Sequence, residues 1–216
     1  ARKGVVLNKA GSPEATPPLR GPDPDPATPA ELVGVTARLN NALRRLGSGW
    51  AVFVEAQRAA AQTYPHSMFP DSASALVDLE RQDAFEEAGT HFESRYFLTL
   101  SYLPPAEQRG KIERLFVEGK SSAQVDWRAE LAAFIDRTDR FLALLDGLMP
   151  SLAWLDDAAT LSVLHGAVST TRQRVAVPQT PIYLDSLLAT EALAGGLEPR
   201  LGRAHLRVLT IVGFPP

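Results

Sequence analysis

Apolar positions along the 216-residue chain repeat with two different periods, and the switches between them divide it into elements. "GVVLN" (4–8) reads as a short strand. In "ATPAELVGVTARLNNALRRLG", Leu32, Val35, Leu39, Leu43 and Leu46 recur at helical spacing. Thr28, Pro29 and Glu31 supply a capping box with proline in the first turn, and Gly47 stops the helix. A strand follows at 50–57, with Trp50, Val52 and Val54 on one face. Asp71 or Ser72 caps a helix that runs to about Gly89, and 95–103 is a strand with Tyr96, Leu98, Leu100 and Tyr102 on one face.

The longest predicted helix spans 124–148. Trp127, Leu131, Phe134, Thr138, Phe141, Leu145 and Leu148 step by four and three along it, a continuous seam that must be covered. Pro150 ends it, and helices at 157–168 and 182–189 come next. "HLRVLTIVGF" (205–214) reads as a closing strand. The alternation predicts an α+β fold: a mixed sheet containing 50–57, 95–103 and 205–213, packed with several amphipathic helices.

One stretch resists both periods. Residues 11–29 hold seven of the seventeen prolines, a density that blocks helix and central strand alike. The expectation is a short strand plus a proline-rich arm over 1–30, solvated or laid along a surface, ahead of one α+β domain over 31–216.

Composition narrows the function classes. The chain is 45% hydrophobic and 22% charged, as soluble globular domains are. It has no cysteine, so disulfides and thiolate metal sites are excluded. A formal charge of −3 argues against broad nucleic-acid binding. No apolar run reaches the roughly 18 residues that span a bilayer, and the start at Ala1 suggests a fragment or processed product.

Candidate chemistry is thin. Gly119-Lys120-Ser121 in "VEGKSS" is the tail of a phosphate-binding loop, but the leading Gly that such a loop needs is Arg114. "LALLD" (142–146) imitates the acidic strand of a nucleotide site, yet it lies within the helical seam. Gly47-Ser48-Gly49 is half of a nucleophile elbow, with Leu46 where the first Gly belongs. His66, His91, His165 and His205 show no metal-ligand spacing. Arg172, Arg174, Arg200, Arg203 and Arg207 make the last quarter locally basic, a solvated face or an anionic contact. The residues therefore yield no catalytic, cofactor-binding or metal site.

Six blocks in order, among them "GVVLN", "YPHSMFP", "FESRYFLTLSYLPP" and "GGLEPRLGRAHLRVLTIVGFP", give nearly the whole chain another meaning. Together with "ATPAELVGVTARLNNALRRLGSGWAVFVEAQR" and "AWLDDAATLSVLHGAVSTTR", they resemble the N-terminal domain of TrbE-type conjugal-transfer ATPases of type IV secretion systems. The resemblance implies a non-catalytic domain that docks the ATPase to inner-membrane components of the secretion apparatus and helps to assemble the motor. ATP and Mg then belong to the parent protein, whose motor domain lies beyond this chain; the fragment itself carries no cofactor and is not an enzyme. It also implies a place at the cytoplasmic face of the bacterial inner membrane, with membrane association through partners, no direct nucleic-acid contact and the option of self-association. Two alternatives stay open: a self-contained enzyme with dispersed site residues, and a DNA-contacting module built on the C-terminal arginines.

Overall fold

The computed structural model describes residues 4–8, 11–22, 25–61, 64–87, 89, 91–103, 127–180 and 182–210. It is an α+β structure with five helices among those residues. The chain forms two compact units, Ala56–Tyr96 and the remainder, and the division falls within two long strands, β4 (Trp50–Ala61) and β5 (His91–Tyr102).

In the larger unit, β1 (Val5–Leu7), β2 (Pro13–Ala15), β3 (Pro18–Arg20) and β6 (Ser151–Leu152) join β4 and β5 in one sheet. Its order is β1-β2-β5-β3-β6, with β4 also paired to β5. β1 and β2 are antiparallel with Val5 opposite Ala15, and β2 runs antiparallel to β5 with Glu14 opposite Ser101.

This arrangement corrects the reading of the proline-rich stretch. Residues 13–15 and 18–20 are strands within the sheet, and Ala15, Thr16 and Pro17 are buried. The prolines stand where a missing amide does least harm. Pro13 opens β2, Pro18 opens β3, and Pro17 occupies the break between them. Pro17 still accepts, from the Leu98 amide at 2.9 Å, and the Thr16 and Thr99 hydroxyls meet at 3.0 Å. Further on, Gly21, Pro22, Asp25, Pro26 and Thr28 do have the surface exposure expected of an arm.

Helix α1 (Pro29–Arg44) starts on the capping box: the Thr28 hydroxyl accepts from the Glu31 amide while the Glu31 carboxylate accepts from the Thr28 amide. Its inward face is rotated from the leucine row. Ala42 is buried and Val35, Leu39 and Leu46 half-buried, whereas Leu32 and Leu43 face solvent. α3 (Trp127–Asp146) is the principal core helix. Phe134, Thr138, Phe141, Leu145 and Leu148 are all buried, against Leu98 and Leu100 of β5 and Ala42 of α1 for the main cluster. Trp50 stacks on Phe134 with ring centroids 5.5 Å apart.

Helices α4 (Asp157–Ala167) and α5 (Leu184–Leu188) build a second cluster of Leu161, Val175 and Leu188. β7 (Leu193–Ala194), β8 (Arg200–Leu201) and β9 (Ala204–His205) form a separate three-stranded sheet. The expected strand at 205–213 is therefore not part of the main sheet: only His205 of it is paired, to Arg200, and 206–210 carry no strand. Residues 211–213 lie outside the described residues.

In the smaller unit, α2 (Ser72–Glu87) begins at Asp71, whose carboxylate accepts from the Ser74 amide at 2.8 Å. Tyr64 meets the Phe85 ring edge-on at 5.6 Å, and His91 stacks on Phe85 at 3.8 Å. These aromatics, and the Tyr64 hydroxyl donating to Asp78 at 2.7 Å, hold the helix to its neighbours in the unit.

Candidate functional site

The Gly119-Lys120-Ser121 segment lies outside the described residues. "LALLD" is helical, and Leu142 and Leu145 are core residues, so that imitation of a nucleotide site is a packing motif. Gly47 and Gly49 form the turn from α1 into β4 at positive φ. A Cβ on Gly49 would stand 2.8 Å from the Leu103 carbonyl oxygen, so glycine there serves a close backbone crossing, not a nucleophile.

The four histidines do not meet. His66 is exposed, and His91 is stacked on Phe85 with its Nε2 against the Phe85 carbonyl at 2.7 Å. His205 lies 3.9 Å from Glu198 on the surface. His165 is fully buried in α4, with Nδ1 3.0 Å from the Leu188 carbonyl. A carbonyl only accepts, so Nδ1 carries a proton, and Nε2 has no partner among the described residues. No group of three potential metal ligands forms among the described residues.

Of the five arginines, Arg172 serves the fold, since its guanidinium donates to the Gly166 and Ser169 carbonyls where α4 ends. Arg174, Arg200, Arg203 and Arg207 are exposed. Beside them, Leu206, Val208 and Leu209 are exposed at 39%, 77% and 86%.

Two arrangements escaped the sequence reading because they join residues far apart in the chain. The first is a cleft of about 310 Å³ lined by Gly4, Val6, Asp157, Leu161, Val177 and Leu184 among others. The Asp157 carboxylate accepts from the Gly4 amide at 2.6 Å, and a Cβ on Gly4 would collide with the Leu155 carbonyl. The result is a clasp tying β1 to α4, with mostly apolar walls and no second titratable group among the described lining residues. The second is Glu191, which accepts from the Ser169 and Thr170 hydroxyls and the Thr170 amide. The Thr170 hydroxyl foremost, then that amide and the Ser169 hydroxyl, hold the Glu191 carboxyl below its ordinary range.

The exposed surface of the smaller unit is of another kind. Along α2 the half-buried positions are Ala75, Asp78, Gln82 and Phe85. Leu76, Val77 and Leu79 point outward, 60%, 49% and 56% exposed, amid Glu80, Asp83, Glu86 and Glu87. The helix thus presents its aliphatic side chains to solvent while two polar ones turn inward. Such an apolar patch rimmed by charge is the chemistry of a protein contact.

Residues 4–110 match the family model of the type IV secretion system ATPase VirB4/TrbE, N-terminal domain. The conjugal transfer protein TrbE of Rhizobium radiobacter is 31% identical across 98% of this chain, which spans 28% of that relative's length. A Sinorhizobium fredii protein, described as the first segment of a probable conjugal transfer protein TrbE, is 36% identical over 54% of this chain and 80% of its own length. The chain belongs to the VirB4/TrbE family of type IV secretion ATPases and corresponds to the family's N-terminal domain.

Proposed function

We propose that this chain is the docking and assembly domain of a conjugal-transfer ATPase. It joins the motor to inner-membrane components of the secretion apparatus on the cytoplasmic side. The observation that supports this reading most is the outward face of α2, where three aliphatic side chains about half exposed or more stand among acidic ones. A helix arranged so contributes little to its own unit and has a surface suited to a partner. Among the described residues no helix is long and apolar enough to cross a membrane, in keeping with attachment through partners.

In this reading the nucleotide site belongs to the motor of the parent protein, which uses ATP and Mg. Calorimetric titration of the chain with Mg-ATP then gives no heat of binding. Competition tests the docking role itself. Overproduced in a conjugating donor, residues 1–216 occupy the resident ATPase's place and lower transfer frequency. Undiminished transfer, with the chain folded and abundant, contradicts the reading.

A further inference from the structure

β1 is an outer strand of the main sheet, paired to β2 and to no other strand among the described residues. Which of its backbone groups are free follows from the register. The Asn8 amide donates to the Ser12 carbonyl at 2.9 Å, so Asn8 and Ser12 are a hydrogen-bonded pair, and two residues back so are Val6 and Glu14. Val5 and Leu7 therefore turn their N–H and C=O groups away from β2. Pro13, with no amide to give, stands opposite Leu7, where β1 asks for none. Among the described residues no hydrogen bond reaches those outward groups. The cleft of about 310 Å³ opens on this edge: Gly4, Val5, Val6 and Leu7 line it in succession, whereas a face of the strand would contribute only alternate residues.

We propose that an extended, basic segment of a partner protein adds to β1 as a further strand and places an apolar side chain in the cleft. Three features make the match. The outward amides and carbonyls of Val5 and Leu7 are the template that an added strand pairs with. Leu161 and Leu184 wall the cleft, and Leu7 and Val177 beside it stay 46% and 50% exposed, so an apolar side chain entering there removes surface from water. Charge selects among such segments. Asp156 and Asp157 are both exposed at the start of α4, and the Asp157 oxygen not held by the Gly4 amide has no partner among the described residues. A Lys or Arg of the incoming strand complements them. The Gly4–Asp157 clasp fixes the edge before the partner arrives, which lowers the ordering cost of binding.

The same groups decide against other occupants. A small molecule is oriented by several polar side chains converging on it. Here the Thr160 hydroxyl is already bonded to the Asp156 carbonyl at 2.8 Å, which leaves the cleft little beyond Asp157 and the strand's own backbone. An acyl chain offers nothing to the Val5 and Leu7 groups, and a nucleic-acid backbone would be repelled by the two aspartates. The site lies in the larger unit and does not depend on the role given to α2.

Random peptides displayed on phage and panned against the full 216-residue chain supply the probe; those that enrich are synthesised and their binding is followed by fluorescence anisotropy. Enriched sequences should alternate apolar residues and carry Lys or Arg, and should shift the amide resonances of Val5 and Leu7. Leu7→Pro removes one outward amide and no bond to β2, so it should weaken binding about tenfold. Val177→Trp fills the cleft from its half-exposed rim and should abolish binding. Asp157→Asn keeps an oxygen for the Gly4 amide and loses the charge, which should cost about threefold at low salt and nothing at high salt. Circular dichroism checks that each variant is folded, and either of the first two decides the matter if the other is not. The proposal is overturned if no peptide enriches, or if those that do bind Leu7→Pro and Val177→Trp as well as the unaltered chain. Self-association that Leu7→Pro abolishes would give the edge to a second copy and overturn it too.

Discussion

Helices α2 and α3 are close in length and opposite in fate. α3 has 20 residues and buries Phe134, Thr138 and Leu145 almost completely; α2 has 16 and buries none. Hydrophobic content alone does not explain the difference, because α2 still carries Leu76, Val77, Leu79 and Phe85. Arrangement does. In α3 the apolar positions recur every three or four residues through the whole helix and form a line that a sheet can cover. In α2 the aliphatic residues crowd into four consecutive positions, and acidic residues occupy the later turns of the same face. α3 thus stabilises the fold, while α2 leaves Leu76, Val77 and Leu79 in solvent.

The contrast is broken most directly by truncating one side chain on each helix. Phe134→Ala should lower stability by about 3–5 kcal/mol, since the ring is buried beneath Trp50 and its loss leaves a cavity. Leu79→Ala should change it by no more than about 0.5 kcal/mol, as exposed substitutions do. Denaturant titration followed by tryptophan fluorescence measures both. Equal effects would mean that α2 is as much a core helix as α3.

A smaller effect, of opposite sign, is expected at Thr138. Its hydroxyl is buried in the α3 seam without a partner among the described residues. Thr138→Val keeps the shape and removes the unsatisfied group, so the same titration should show a gain of about 1 kcal/mol. A loss would indicate that the hydroxyl has a partner after all.

The smallest effect concerns the start of α2. The Ser74 amide first, then its hydroxyl, hold the Asp71 carboxyl below its ordinary range. A carboxyl depressed on folding contributes stability above its unfolded pKa and loses it as pH falls through the folded one. Helical chemical shifts of the first turn of α2 should therefore weaken on acidification, starting near the ordinary carboxylate pKa and finishing below it. Asp71→Asn, which keeps a capping oxygen, should remove that dependence on Asp71. A pH response unchanged by the substitution would assign it to another group.

Much of the frame was legible because its causes are local. The capping box at Thr28–Glu31 and the α3 seam each show within a few turns of sequence, and both stand in the structure. The fate of residues 13–20 was not legible. Proline density excludes a strand only when the prolines fall on required amides, and that depends on where β5 and β1 pair, information held elsewhere in the chain. The clasp between Gly4 and Asp157 spans 153 positions and leaves no local signal. The outward face of α2 was hidden for a related reason: periodicity predicted a helix there, but which side turns inward was set by Tyr64 and His91 gripping Phe85. At 205–209 the alternation suggested a strand, yet after His205 no neighbouring strand is paired with it.

The docking role is tested most directly by asking where the isolated chain goes in a cell. Residues 1–216, tagged and produced in donor bacteria with and without the secretion genes, are followed by inner-membrane flotation. The account predicts that the chain floats with the inner membrane only when those genes are present, and that Leu76→Asp/Leu79→Asp reduces its recovery there without unfolding it. A chain that remains in the cytosolic fraction of both strains, or floats equally in both, would contradict it.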